Sequence, residues 1–177
     1  MKWILYSIII LGLVVFNQTI LTVSNSGAWV PNILMLLTLA LVVLVEDLDF
    51  LFFAVLGGVW LDITTGLPIG GTTLGLLSLA MLAMWLTNKW LLAQKGPRYF
   101  LGAILLGTIF LKTWIWLYAA LAQLVGFPIE VWSFVDNLKT LLPQLLMNLL
   151  FAYPIFALVD YLVGRMLKNN RHQKFIL

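Results

Sequence analysis

The chain has no cysteine, which removes a disulfide framework, thiolate metal ligation and thiol catalysis at once. Its one histidine, His172, stands in a basic tail, so neither a His-rich metal site nor a histidine triad is expected. Charge is scarce: Asp, Glu, Lys and Arg make up 10% of the residues, and only seven are acidic. No H-E-x-x-H, G-x-S-x-G or P-loop pattern occurs. An intramembrane hydrolase needs a nucleophile with a base, or two aspartates at one depth. Ser78 lies in an apolar run with no base in view, and Asp62 has no second carboxylate at its level. The expectation is a non-catalytic protein without metal or cofactor.

What fills the sequence instead is apolar. Of 177 residues, 63% are hydrophobic, and the mean hydropathy is +1.06. A soluble domain of this size cannot bury that much apolar surface, so the expected solvent is lipid. A membrane-spanning helix needs about 20 apolar residues, fewer where protein covers its ends. Six runs qualify, at about 3–23, 31–45, 50–65, 72–92, 99–125 and 138–163. The fold class expected is all-α: one polytopic membrane domain over residues 1–177, with about six transmembrane helices. Residues 3–16 behind Lys2 have the look of a signal-peptide core. The apolar character continues to Val23 with no A-x-A-like site after it, and this predicts an uncleaved first helix. Pro143 and Pro154 are expected to kink the last span.

Lys and Arg set the orientation. Six spans put both termini on one face, together with Lys2, the Lys89/Lys95/Arg98 loop, and Arg165, Lys168, Arg171 and Lys174. Lys139 is left on the other face, and Lys112 falls within a span. Both termini are therefore expected in the cytoplasm, and the positive charge reads as a topology signal rather than a nucleic-acid footprint. The basic tail either touches anionic lipid or only fixes topology. The external 126–137 connection, with Phe127, Val131, Trp132 and Phe134, reads as an interfacial anchor or a partner contact. Asp160 and Arg165 are spaced for an ion pair near the cytoplasmic end of the last span. Gly12, Gly102, Gly107 and Gly164 are expected to permit close helix contact.

One stretch interrupts the apolar pattern. Gly58-Val59-Trp60-Leu61-Asp62 ends an apolar climb, and the chain then breaks at Gly66, Pro68, Gly70 and Gly71 before a new run begins. A charge in hydrocarbon costs about 3 kcal/mol on insertion scales, and broken backbone at membrane depth must be covered by protein or line a cavity. Two readings follow: a buried, protein-facing pivot, or a carboxylate that caps a short helix beside an ordinary Gly/Pro turn.

Counting at 1.5 Å per residue from the cytoplasmic ends places Asp62 roughly 18 Å deep and Lys112 roughly 20 Å. Asn148 and Asn17/Gln18 both come out near 22 Å by the same rise. The matched depth predicts that Asp62 and Lys112 meet in the helix core, with Asn148 or Thr113 completing the hydrogen bonds. Such a pair either specifies the fold or belongs to a solute or proton site. Trp114 and Trp116 stand close enough to Lys112 in sequence for a cation–π contact, or serve as packing tryptophans.

The Gly58-x-x-x-Asp62 step, the Gly66-x-Pro68-x-Gly70 break and the Pro31-Asn32 entry to the second span resemble the bacterial rod shape-determining protein MreD family. The specific match covers Pro31 to Leu77, and the rest agrees in hydropathy and topology. The resemblance implies a non-catalytic scaffold of the cell-elongation machinery in the bacterial inner membrane. It would bind an MreC-type single-span protein and, through it, MreB filaments and the RodA/penicillin-binding-protein synthase pair. It also implies a fold similar to the substrate-binding subunits of energy-coupling-factor vitamin transporters, which keeps small-solute binding as the alternative. On the scaffold reading, the Gly66–Gly71 break sets the angle between two helices, Asp62 holds the core, and a groove of small and aromatic residues takes the partner's anchor.

Overall fold

The computed structural model describes Gly12, Phe16 and residues 29–44, 49–65, 68, 70–89, 97–127 and 134–173. Apart from Gly12 and Phe16, the expected first span, with Asn17 and Gln18, therefore lies outside the described residues, as do Glu46, Asp47 and Gly66. So do Val131 and Trp132 of the external connection and the side chains of the basic tail.

Among the described residues the protein is all-helical, with α1 (Ile33–Leu44), α2 (Asp49–Thr65), α3 (Gly71–Lys89), α4 (Pro97–Leu124) and α5 (Phe134–Gln173). Two stretches are long and apolar enough to cross a membrane, Phe100–Leu124 and Val135–Val163. Less than a third of either is buried within the protein. Leu106, Leu121, Leu142 and Leu150 are more than half exposed, so both helices present apolar side chains outward. Ile33–Leu44, Phe50–Thr64 and Gly71–Leu86 are shorter apolar helices.

Helix α1 is the centre. It is apolar all round, which suits a helix surrounded by protein, and every residue from Ile33 to Val43 is buried. It packs against each of α2, α3, α4 and α5. Around it α2 pairs with α3, α3 with α4, and α4 with α5. Phe50 and Phe53 of α2, Leu76 and Leu79 of α3, Phe100 and Ile104 of α4, and Ala152 and Ile155 of α5 complete one core.

Helix α4 ends in a Schellman motif. Gly126 takes a positive φ of 95°, its N–H donates to the Gln123 carbonyl, and the Phe127 N–H reaches back to Ala122. Helix α5 runs without interruption through both Pro143 and Pro154, so neither proline ends it. The expected glycine contacts divide. A Cβ on Gly107 would sit 3.1 Å from the Leu39 side chain, whereas Gly12 and Gly102 face open space. Among the described residues nothing stands close enough to those two for a helix contact.

Candidate functional site

The interrupted segment forms a locked joint between α2 and α3. The first four N–H groups of a helix have no partner within it and need acceptors from elsewhere. Helix α3 begins just after Gly70, which has a φ of 113° and no side chain to act as a cap. Asp62, just over three turns along α2 from Phe50, supplies the missing acceptor from across the joint. Its Oδ2 accepts from the Gly70 N–H at 2.8 Å and the Thr73 N–H at 3.3 Å, and from the Thr73 hydroxyl at 2.7 Å. Its Oδ1 accepts from the Thr72 N–H at 2.6 Å. The Gly71 N–H goes to the Pro68 carbonyl, and the Leu74 N–H closes the first helical bond to Gly70. Every amide from Gly70 to Leu74 is thereby accounted for, which buried backbone requires.

The carboxylate is fully buried, at 0% exposure. Its compensation is the cluster of amide donors and the positive end of the α3 dipole. The geometry combines the two readings of this segment: Asp62 is buried and protein-facing, and it caps α3 from a neighbouring helix.

Gly58 makes this reach possible. It lies one turn before Asp62 on the same face of α2, against the α3 backbone at Thr73. On the far side of α3, the Gly71 and Gly75 surface receives two aromatic rings of α4. A Cβ on Gly71 would meet the Tyr118 ring at 2.8 Å, and one on Gly75 would meet Trp114 at 2.6 Å. The Trp114 indole N–H donates to the Gly71 carbonyl at 2.9 Å. Trp114 also stacks on Phe110 with 6.3 Å between ring centroids. Trp114 is therefore a packing and positioning residue of the joint, and its indole N–H serves the backbone of α3.

Asp62 and Lys112 do not meet. Asp62 on α2 turns toward α3, while Lys112 on α4 turns toward α5 and donates to the Thr140 hydroxyl at 2.9 Å. Helix α3 packs against both α2 and α4. Counting residues along a helix says nothing of the direction in which each side chain leaves it. Thr113 spends its hydroxyl on the Ile109 carbonyl of its own helix and takes no part.

Asn148 belongs to a second network. Its Oδ1 accepts from the Asn32 N–H at 2.7 Å, and its Nδ2 donates to the Thr108 hydroxyl at 2.9 Å. That hydroxyl in turn donates to the Ile104 carbonyl at 2.7 Å. Asn32 caps α1 through its own side chain, whose Oδ1 accepts from the Met35 N–H at 3.0 Å. One amide on α5 thus ties the entry of α1 to α4. Asn148 is 0% and Thr108 2% exposed, so both groups depend on these bonds.

The expected polar layer is thus divided into an α2–α3 joint, an α1–α4–α5 clamp and the separate Lys112–Thr140 contact. Thr72, Thr73, Asn32, Thr108 and Thr140 are the participants that sequence reading missed. Asn32 carried a usable signal, an Asn just after proline and before an apolar run. The threonines carried none. Asn17 and Gly66 lie outside the described residues.

Beside the joint is an apolar groove of about 480 Å³ lined by Pro68, Tyr118, Leu121, Ala122, Val125 and Phe127. No group of three His, Cys, Asp or Glu side chains is placed to hold a metal among the described residues.

Among the described residues, the fold and site are those of an all-helical protein with two helices long and apolar enough to cross a membrane, organised by two buried helix-capping networks. Compared with family models, with curated proteins and with solved structures, the chain matches none.

Proposed function

We propose that the chain is a non-catalytic scaffold of the bacterial cell-elongation machinery, of the MreD kind. On this reading it crosses the inner membrane with about six spans and has both termini in the cytoplasm. It docks an MreC-type single-span partner and, through it, MreB filaments and the RodA/penicillin-binding-protein pair. The observation that carries the reading is the state of the buried polar groups. Asp62 and Asn148, the side chains best suited to hold a solute, are committed to helix ends and to neighbouring hydroxyls. Neither Asp62 nor Asn148 is thereby free to turn toward a solute. A docking scaffold needs a fixed shape with apolar surface, and the groove beside the joint is apolar.

The segment that carries the resemblance also has a physical reason for its spacing. Gly58 admits the α3 backbone, Asp62 caps α3, and Gly70 takes the left-handed turn between them.

The test is purification of the tagged protein from its native host in mild detergent, with mass spectrometry of co-purifying proteins and small molecules. Recovery of a single-span coiled-coil protein with wall-synthesis enzymes is expected. Recovery of ATPase and coupling subunits, or of a bound vitamin-like molecule, would overturn the scaffold reading in favour of transport.

A further inference from the structure

We propose that the α4–α5 seam at Lys112 is the docking point for a membrane helix of another protein, one that carries an acidic side chain within its apolar span. The proposal deepens the scaffold reading by naming the partner's chemistry, and rests on it only in taking the partner to be a membrane protein.

Lys112 lies midway along the Phe100–Leu124 stretch, about 18 Å from either end at 1.5 Å per residue. Its ammonium has three N–H donors. One goes to the Thr140 hydroxyl, and that hydroxyl donates onward to the Asn137 carbonyl. No carboxylate among the described residues pairs with Lys112.

A second polar group waits at the same level. Phe100 meets Phe156 and Thr108 meets Asn148, so the antiparallel register of α4 and α5 sets residue 144 opposite residue 112. Gln144 is there, one turn beyond Thr140 on the same face. Its Oε1 is buried with no hydrogen-bond partner. The Gln144 Oε1 is an acceptor facing a cation with donors to spare, and what neither supplies is a negative charge, without which a cation at mid-span is costly.

A carboxylate supplies that counter-charge. It accepts from a Lys112 N–H that Thr140 leaves free, and the ammonium's remaining N–H is left for the Gln144 Oε1, an acceptor that needs a donor.

The surroundings leave room for a helix. From Val135 to Met147, α5 has no buried residue, whereas Asn148, Ala152, Ile155 and Val159 are buried along the remainder of its span. A lipid headgroup does not suit the site, because a lysine at mid-span directed across the helix seam does not reach the interface. A second copy does not suit it either. The other six acidic residues lie outside the apolar runs or near their ends, and both oxygens of Asp62 are already occupied.

The experiment places the photocrosslinker benzoyl-phenylalanine at position 116, one turn from Lys112 on α4, in the full chain expressed in its native host. The crosslinked peptide is then sequenced. An apolar segment of another protein containing Asp or Glu is expected. The yield should fall about tenfold in Lys112→Met, as the loss of one interhelical polar contact of about 1.4 kcal/mol predicts, and recover in part in Lys112→Arg. An adduct only to lipid or to a second copy, a helix without an acidic residue, no protein adduct, or a yield indifferent to Lys112→Met would each overturn the proposal. An acidic helix from a protein outside wall synthesis would keep this proposal and overturn the scaffold reading. Wall-synthesis partners recovered with a crosslink indifferent to Lys112 would do the reverse.

Discussion

Gly58 stands so close to Thr73 that a Cβ added to it would come 2.4 Å from the Thr73 Cα. Because the obstruction is backbone, no rotamer change relieves it. The closeness of α2 and α3 at this point brings the Asp62 carboxylate, one turn on, within reach of the α3 amides.

Gly58→Ala is therefore expected to separate the two helices by about 1 Å, the shift needed to restore an ordinary carbon–carbon contact. Overpacking of this kind costs about 1–3 kcal/mol, and the stretched Asp62 bonds add to it. Thermal unfolding in detergent should show a clear drop in midpoint. Gly102→Ala, at a glycine facing open space, should leave the midpoint almost unchanged.

Asp62→Ala and Asp62→Asn are expected to differ. Alanine removes the acceptors of the Gly70, Thr72 and Thr73 amides and should cost on the order of 3 kcal/mol, from lost capping and unsatisfied buried amides together. Asparagine can keep its oxygen where Gly70 and Thr73 donate, but then turns an N–H₂ toward the Thr72 N–H. Its stability should fall between wild type and alanine, measured as unfolding midpoint and as yield of folded protein.

Asn148→Leu removes the acceptor of the Asn32 N–H. The cost expected for an unsatisfied buried amide is about 1–3 kcal/mol. The loss should appear locally as faster hydrogen exchange at the α1 entry and at Thr108, while the α2–α3 joint keeps its protection.

The charge swap Asp62→Lys with Lys112→Asp should not rescue either single variant. A double-mutant cycle should give a coupling energy within about 0.5 kcal/mol of zero, as for sites with no shared partner. A coupling well above that would place the two groups in contact after all.

The sequence showed more of the joint than of the clamp, for physical reasons. Gly58, Asp62 and Gly70 lie within thirteen residues of one another. A carboxylate followed by a glycine break and a new apolar run is a local pattern, and its cap reading could be stated before any tertiary contact was known. The Asn148 clamp joins residues 116 positions apart, and only the Asn32 end of it has a local signature.

Helical rise converts residue number into an expected depth, and on that count the polar groups were expected on one level; Asn148 instead meets Thr108, one turn along α4 from Lys112. Depth says nothing of azimuth, which depends on how each helix turns against its neighbours, and so the Asp62–Lys112 pairing did not follow. Gly102 and Gly107 show the same limit. They are alike in sequence setting, yet only Gly107 faces another helix.

The central claim is that the Asp62 carboxylate is committed to the N-terminus of α3, and amide hydrogen exchange in a lipid nanodisc reads it directly. In the wild-type protein the Gly70, Thr72 and Thr73 amides should exchange slowly. In Asp62→Ala these amides should exchange about tenfold faster or more, in line with at least 1.4 kcal/mol lost locally, while those at the centre of α1 stay protected. Fast exchange at Thr72 and Thr73 in the wild-type protein, or protection there that is indifferent to Asp62, would contradict the claim and return the carboxylate to consideration as a ligand or proton site.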